Sequence, residues 1–592
     1  MELPSLQKRY LLLKPFLQNE KAFSWRDVLA LLFFLILFWS VVKLFADLDI
    51  PISQAHIEHI DLSLNFLPYY LLRSTFRMFL AYLASLIFTL TFGYWAYKSK
   101  RASSFIITSV DILQSVPVLG FLSVSVTGFM ALFPNQLMGV ELASLFAIFT
   151  GQVWNMTLSF YNSLTTLPSE LKESSEVFHL NPWQRFTKLE LPHSAIPLIW
   201  NSMMSFGGGW FFVVQSEMIT VLNKNIKLPG IGSYMGTALE KGDSKAATYG
   251  AVGMILTIIL IDYFFWKPIN VWALKFKNEQ TESLSREESF VLDIFSKSKL
   301  FSLMIHFMSH KLDVFFKFFF NFTNQIQIPA RKFKHKFFKI YFMIKVFQKA
   351  FYILFLLGLS FYFIKELLKI QNSFSILNLA FVLKLGFLTF LRVFMMVILA
   401  SLIWTPIGVW VGFHPQLSRW MRPLVQIGAS FPINMTYPIM VAFFISHNIS
   451  LNWGSILLLS LGSQWYILFN VIAGANSIPQ DMKETAQIFK LKGFKLWQKM
   501  ILPAVFPYWV TGACTAAGGA WNASIVAESA HFGSQKLVAE GLGAYIADVT
   551  QKGETLGIFI SIATMSLFVI LINHFIWRNL SIYAAKRFVI EP

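Results

Sequence analysis

Two acids stand inside runs that are otherwise apolar. Glu217 and Glu528 each lie ten residues after the first glycine of a GG-x-W run, GGGW at 207–210 and GGAW at 518–521. An acid at membrane depth marks a relay, a gate or a solute path unless something else explains it. Both acids also sit near the expected external end of their apolar run, where water makes a carboxylate cheap. A structural or gating role is therefore favoured over direct contact with a solute. Gly207, Gly208, Gly518 and Gly519, beside Trp210 and Trp521, suit either a lined path or the close approach of two spans. Close approach is the favoured reading.

Other chemistry finds little support. Cys514 is the only cysteine and lies in an apolar run, which excludes an intrachain disulfide or a thiolate metal cluster. His56/His59 and His306/His310 have ligand-like spacing but no organised carboxylate or cysteine partners, so no metal is expected. No G-x-x-x-x-G-K-[ST] loop occurs, and no cluster of catalytic acids or histidines repeats. The expectation is a protein that is not an enzyme and carries no cofactor.

The elements that hold these residues are membrane spans. The chain has 592 residues, 55% hydrophobic and 14% charged, with a mean hydropathy of +0.57. Its apolar runs reach the length that crosses a bilayer. The net charge of +18 fits basic cytoplasmic loops and not nucleic acid, since no basic region sits in a binding module. Six spans are expected near 28–46, 74–97, 104–131, 140–160, 195–222 and 246–268. Six more fall near 350–367, 385–412, 421–446, 453–474, 504–530 and 556–576. Lys98, Lys100 and Arg101, then Arg419 and Arg422, then Arg578, Lys586 and Arg587 put both termini on the cytoplasmic side. Asp47, Asp49, Glu58 and Asp61 mark the first external segment.

The chain repeats itself. LPSELKE at 167–173 returns as IPQDMKE at 478–484, an offset of 311 that also pairs Gly151 with Gly462, Trp154 with Trp465 and Glu217 with Glu528. It still holds at GIGSYMG (230–236) against GLGAYIA (541–547), while ASLI at 84–87 and 400–403 shows an upstream indel. The fold expected is an all-α integral membrane protein of about twelve helices, built as two parallel tandem repeats of six. The expected domains are 1–69 (cytoplasmic segment, first span and external loop), 70–275 (first repeat), 276–349 and 350–592 (second repeat). Residues 276–349 form a basic, Phe-rich linker adsorbed at the bilayer surface.

Between the fourth and fifth spans of each half lies a polar stretch, ESSEVFHLNPWQRFTKLELP at 173–192 and ETAQIFKLKGFKLWQKMILP at 484–503. Each reads as a short helix, a break (Asn181-Pro182; Lys492-Gly493) and a second helix stopped by proline. Aromatics sit at the corner, Trp183/Phe186 and Phe494/Trp497, as an exposed anchor for another protein.

These two stretches resemble the signature loop of ATP-binding-cassette import permeases, written EAA, three residues, G, nine residues, I-x-LP. Glu173, Ser174 and Ser175, and Glu484, Thr485 and Ala486, stand at the EAA positions. Leu191-Pro192 and Leu502-Pro503 stand at the LP, and the glycine is replaced by His179 and Lys490. That replacement is expected to alter the turn. With GG-x-W, the later glutamates, and SVP (115–117) and SFP (430–432), the halves look like the nitrate/sulfonate/bicarbonate branch in a fused form. The resemblance implies a permease of the bacterial inner membrane carrying a small anion. Its cytoplasmic coupling helices would dock on two copies of a separate ATPase, and an external, periplasmic binding protein would deliver cargo. Ferric iron or thiamine is the alternative cargo, and a secondary transporter the alternative class.

Overall fold

The computed structural model describes residues 26–28, 31–32, 60–276, 289–298 and 376–587, apart from 115, 135, 222, 223, 533 and 534. The expected spans 28–46 and 350–367, all but a few residues of the linker, and His56, His59, His306 and His310 lie outside them. The described residues fall into two compact units. One holds 26–28, 31–32, 167–193, 289–298 and 376–381; the other holds 60–166, 194–276 and 382–587.

Long apolar runs become single helices. In the first half these include α1 (Leu67–Phe88), carried on through a π turn to Lys98, and α4 (Leu137–Thr165). Between them lie α2 (Lys100–Leu113) and α3 (Val118–Leu132). Then come α5 (Leu191–Glu217), a hairpin of β1 (Met218–Val221) and β2 (Lys224–Lys227), α6 (Ile231–Glu240) and α7 (Ser244–Ile261). The second half supplies α8 (Ile376–Gly412), α9 (Pro415–Ser430), α10 (Tyr437–Ser446) and α11 (Leu451–Asn476). It continues with α12 (Leu502–Ala527), β3 (Ser529–Phe532), β4 (Gln535–Val538), α13 (Leu542–Lys552) and α14 (Thr555–Ile572).

The offset of 311 is visible in this local structure. It carries β1 onto β3, β2 onto β4, α7 onto α14, and the π turn Asp262–Trp266 onto Asn573–Trp577. The strand registers match as well, Met218 opposite Lys227 and Ser529 opposite Val538.

Two expected spans are corrected. Region 104–131 is not one helix but α2 and α3, divided at Gln114–Pro117. Region 421–446 is α9 and α10, with their axes bent by 73°. The same tripeptide position causes both breaks, SVP in one half and SFP in the other. A proline forces the residue before it out of the helical region, and Phe431 is indeed extended at φ −67°, ψ 125°. Among the described residues seven helices are long and apolar enough to cross a membrane, or eight if the bent pair counts as one span. The expected run 195–222 ends instead at Glu217, where β1 begins, and α5 falls outside that apolar set.

Each half has its own dry core. Trp210, Phe206 and Met78 centre the first, and Trp521, Tyr437 and Met396 the second.

Candidate functional site

Glu217 and Glu528 end their helices at full burial, with no solvent exposure. Water does not solvate them, contrary to the reading from their place in the span; protein groups do. Glu217 Oε1 accepts from Ser74 Oγ at 2.5 Å and from Arg77 Nη1 at 2.7 Å. Its Oε2 accepts from the Gly232 backbone N–H at 2.7 Å. The Ile231 N–H is taken by Ser74 Oγ at 2.9 Å. The carboxylate thus caps the first turn of α6, where unpaired N–H groups and the helix dipole favour a negative charge.

The second half repeats this arrangement. Glu528 accepts from Thr389 Oγ1 at 2.9 Å, Arg392 Nη1 at 2.8 Å and the Gly543 N–H at 2.8 Å. Thr389 Oγ1 takes the Leu542 N–H at 2.9 Å. Arg77 also donates to the Pro229 carbonyl and Arg392 to the Glu540 carbonyl, again 311 apart. Arg392 is therefore held entirely by protein groups. The GIG and GLG glycines follow from the same geometry. A Cβ on Gly230 would sit 2.2 Å from the Glu217 carboxyl carbon, and one on Gly541 2.2 Å from Glu528 Oε2.

The clusters differ in one respect. In the first half Glu141 adds a second carboxylate, bound by Arg77 Nε at 2.6 Å and Arg73 Nη2 at 3.0 Å. At the offset of 311 stands Asn452, whose amide oxygen takes Arg392 Nη2 at 2.8 Å. Leu388 stands one residue before Thr389, where Arg73 stands before Ser74. Charge balances within each cluster, as burial demands. Sequence reasoning missed Arg73, Arg77 and Glu141. The signal was an arginine three residues after a hydroxyl in the second expected span of each half.

The other candidates gather around a cavity of about 260 Å³ lined by both halves. Gly207 and Gly208 of α5 and Gly518 and Gly519 of α12 are on its wall, with Trp521. The glycines thus line a space as well as allowing close approach. Trp210 packs in the core instead, edge-on to Phe206. Hydrogen bonds link the halves among the described residues, Val118 N–H to Asn522 Oδ1 at the cavity wall and Gln426 Nε2 to Asp262 Oδ1 outside it, both 2.8 Å. Asp262 is thus a bridge between the halves. Neither glutamate lines the cavity.

Each polar stretch is a hairpin. In the first, helix Ser169–Val177 ends at His179, whose φ is +48°. The His179 N–H returns to the Glu176 carbonyl and the Leu180 N–H to the Ser175 carbonyl. In the second, helix Gln480–Ile488 ends at Lys490 with φ +50°, and the N–H groups of Lys490 and Leu491 return to Gln487 and Ala486. This is the left-handed helix stop that glycine normally makes. His179 and Lys490 adopt it here with a side chain in place of the glycine.

The second hairpin helix does not stop at proline. It starts at Pro182 or Gly493 and runs through a π turn, Phe186–Glu190 or Trp497–Ile501, into α5 or α12. Pro192 and Pro503 lie in the first turn after that π turn. The wider turn loosens the hydrogen-bond ladder where proline has no N–H to give. Glu173, Ser174, Glu484 and Thr485 are exposed, whereas Ser175 and Ala486 are buried. The most exposed apolar residues of the first hairpin are Val177 and Phe178, at 74% and 75%. Ile488 and Phe489 match them at 77% and 72%, with Phe494 at 79%. Trp183 and Phe186 are only half-exposed and stack on each other.

Among the described residues no group of three or more His, Cys, Asp or Glu side chains could hold a metal ion. Residues 83–265, and again 404–581, match the family described as binding-protein-dependent transport system inner membrane component. The chain is 28% identical over 178 residues to the bicarbonate transport system permease protein CmpB of Synechococcus elongatus, covering 30% of this chain and 61% of that one. It is 26% identical over 176 residues to the nitrate import permease protein NrtB of Leptolyngbya laminosa, covering 30% and 60%. A putative aliphatic sulfonates transport permease protein, SsuC of Bacillus subtilis, is 26% identical over 182 residues, covering 29% and 62%. The chain thus spans about three fifths of the length of these curated relatives.

Proposed function

Because this chain belongs to the family of binding-protein-dependent transport inner membrane components, we propose that it is the whole translocation unit of an ATP-driven importer, with both permease halves in one polypeptide. In this reading twelve spans form two parallel repeats, 70–275 and 350–592, flanked by a terminal segment 1–69 and joined by a surface-adsorbed linker 276–349. Both termini are cytoplasmic. The two hairpins dock on two copies of a cytoplasmic ATPase, and an external binding protein delivers the cargo. The relatives named for bicarbonate, nitrate and sulfonates support a small anion as that cargo.

One observation carries the reading: two hairpins built alike, each with an exposed Phe beside a left-handed stop. An exposed apolar tip on a rigid hairpin suits a groove in another protein. Each hairpin runs without a break into α5 or α12, whose glycines line the cavity. In the second repeat, motion at the tip is then passed along α12 to the cavity wall. Within this mechanism Glu173 and Glu484 make or cap the contact, and Pro192 and Pro503 mark the elbow. The Arg77–Glu217 and Arg392–Glu528 clusters hold α6 and α13 in place and take no part in cargo contact.

The test is co-purification of the ATPase from the host membrane with the tagged full-length chain. Glu173→Lys combined with Glu484→Lys should abolish association and leave the elution profile unchanged. Retained association and retained transport would overturn the docking role.

A further inference from the structure

Six glycines line the cavity between the repeats, and four of them already have a close neighbour where a side chain would go. A Cβ on Gly151 would meet Phe212 at 2.4 Å, and one on Gly462 would meet Ile433 at 2.8 Å. On Gly207 it would meet the Ser430 hydroxyl at 2.5 Å, and on Gly208 the Tyr466 hydroxyl at 2.9 Å. Gly519 has Ser463 at 3.6 Å, an ordinary contact distance. Gly518 alone among them faces open space, with nothing within 4 Å.

Gly207 and Gly518 are the same position in the two repeats. The free volume is therefore lopsided, filled by Ser430 beside α5 and open beside α12. Two identical halves would not produce this. The polar groups on the same helix are uncharged, Asn522 and Thr515, and Tyr466 and Asn573 add to them from neighbouring elements. No Asp, Glu, Lys, Arg or His is among the described lining residues. The counterpart of Asn573 is Asp262, which is held by Gln426 outside the lining.

A wall without formal charge offers no counter-ion to a buried charge, so it separates solutes by size and by hydrogen bonding. We propose that Gly518 is the specificity-determining residue of this cavity. It sets the largest solute admitted, and selection there is by shape and neutral hydrogen bonds, without preference for the sign of charge. The cargo class is then a small polar solute whose charge, if it has one, is recognised by the binding protein and not by the permease. This rests on the cavity being the translocation pathway.

Cys514, the chain's only cysteine, lies one helical turn before Gly518 on α12 and lines the same cavity. Its thiol therefore reports on access. In the purified full-length chain it is labelled with two methanethiosulfonate reagents of similar size, one carrying a sulfonate and one a quaternary ammonium. Rates are normalised to those with a small free thiol. The two normalised rates should agree to within about threefold, whereas a charged wall would separate them by about tenfold or more. Gly518→Ala should slow both reagents slightly and Gly518→Leu by about tenfold, as a side chain fills the open space. A Gly518→Leu chain that elutes normally and reacts at the parent rate overturns the proposal, as does a separation of the two reagents by charge. If Gly518→Leu fails to fold, Gly518→Ala and Gly518→Ser decide by the same criterion. Loss of ATPase co-purification with an intact size series would refute the transport reading and leave the size limit standing. An intact ATPase complex whose labelling ignores residue 518 would refute this inference alone.

Discussion

Asn452 holds in the second repeat the place that Glu141 holds in the first, and each closes the cluster around a buried arginine. Arg77 Nε meets Glu141 at 2.6 Å, and Arg392 Nη2 meets the Asn452 amide oxygen at 2.8 Å. The exchange of an acid for an amide goes with the exchange of Arg73 for Leu388, so each cluster stays neutral. The two repeats are two solutions to one problem, that of burying a carboxylate at the start of a helix.

Removing the acid alone should break that balance. Glu141→Gln leaves two buried guanidinium groups facing one carboxylate, Glu217, and should cost about 3–5 kcal/mol. Arg73→Leu with Glu141→Asn copies the second repeat and should recover most of the loss. The measure is the folded peak left after heating in detergent, read by size-exclusion. Equal loss in the single and double variants would show that neutrality is not what the cluster maintains.

Glycine in the GIG and GLG motifs should be equally exacting. Gly230→Ala and Gly541→Ala each drive a methyl group onto a glutamate that the helix start cannot give up, a cost of about 1–3 kcal/mol or more. Gly128→Ala, in α3 with nothing within 4 Å of the added carbon, should be neutral or stabilising by up to about 1 kcal/mol. Thermal unfolding of the three variants side by side checks the contrast.

The repeat, the hairpins and the unbroken helices such as α4 and α11 are legible in the residues because they rest on periodicity and on short motifs. The ion clusters were not. Arg77 and Glu217 are 140 residues apart, and nothing local to either names the other. Glu217 read alone looks like an acid at a wet span end; only the fold brings Arg77, Ser74 and the Gly232 N–H to it. The proline at 192 misled for a related reason. A helix-stop rule assumes an α-helical ladder, and the π turn before Pro192 changes that ladder. SVP and SFP carry part of the family resemblance, and their prolines are also the physical cause of the breaks between α2 and α3 and between α9 and α10.

The left-handed stops should respond to restoring glycine. His179 and Lys490 hold positive φ, which costs a residue with a Cβ roughly 1–2 kcal/mol. His179→Gly and Lys490→Gly should therefore strengthen the Leu180 and Leu491 amide hydrogen bonds, slowing their exchange by about fivefold after the extra chain entropy of glycine is counted. His179→Val should speed exchange at Leu180, since a β-branched residue tolerates that conformation least. Hydrogen exchange on the purified chain reads both directions.

Phe178 and Phe489 decide whether the hairpin tips are docking knobs. Their exposure of 75% and 72% means that little folding energy rests on them. Phe178→Asp or Phe489→Asp should therefore leave thermal unfolding within about 0.5 kcal/mol of the parent, as surface changes usually do. An apolar side chain that fills a partner's groove, by contrast, contributes about 2 kcal/mol or more to binding. Each single variant should weaken ATPase co-purification, and the double variant should abolish it, because the proposed function gives each hairpin its own ATPase copy. If one variant alone removes all ATPase and the other removes none, a single hairpin bears the contact and the two-copy reading fails. If the double variant keeps full association at unchanged stability, the exposed phenylalanines are not the anchor.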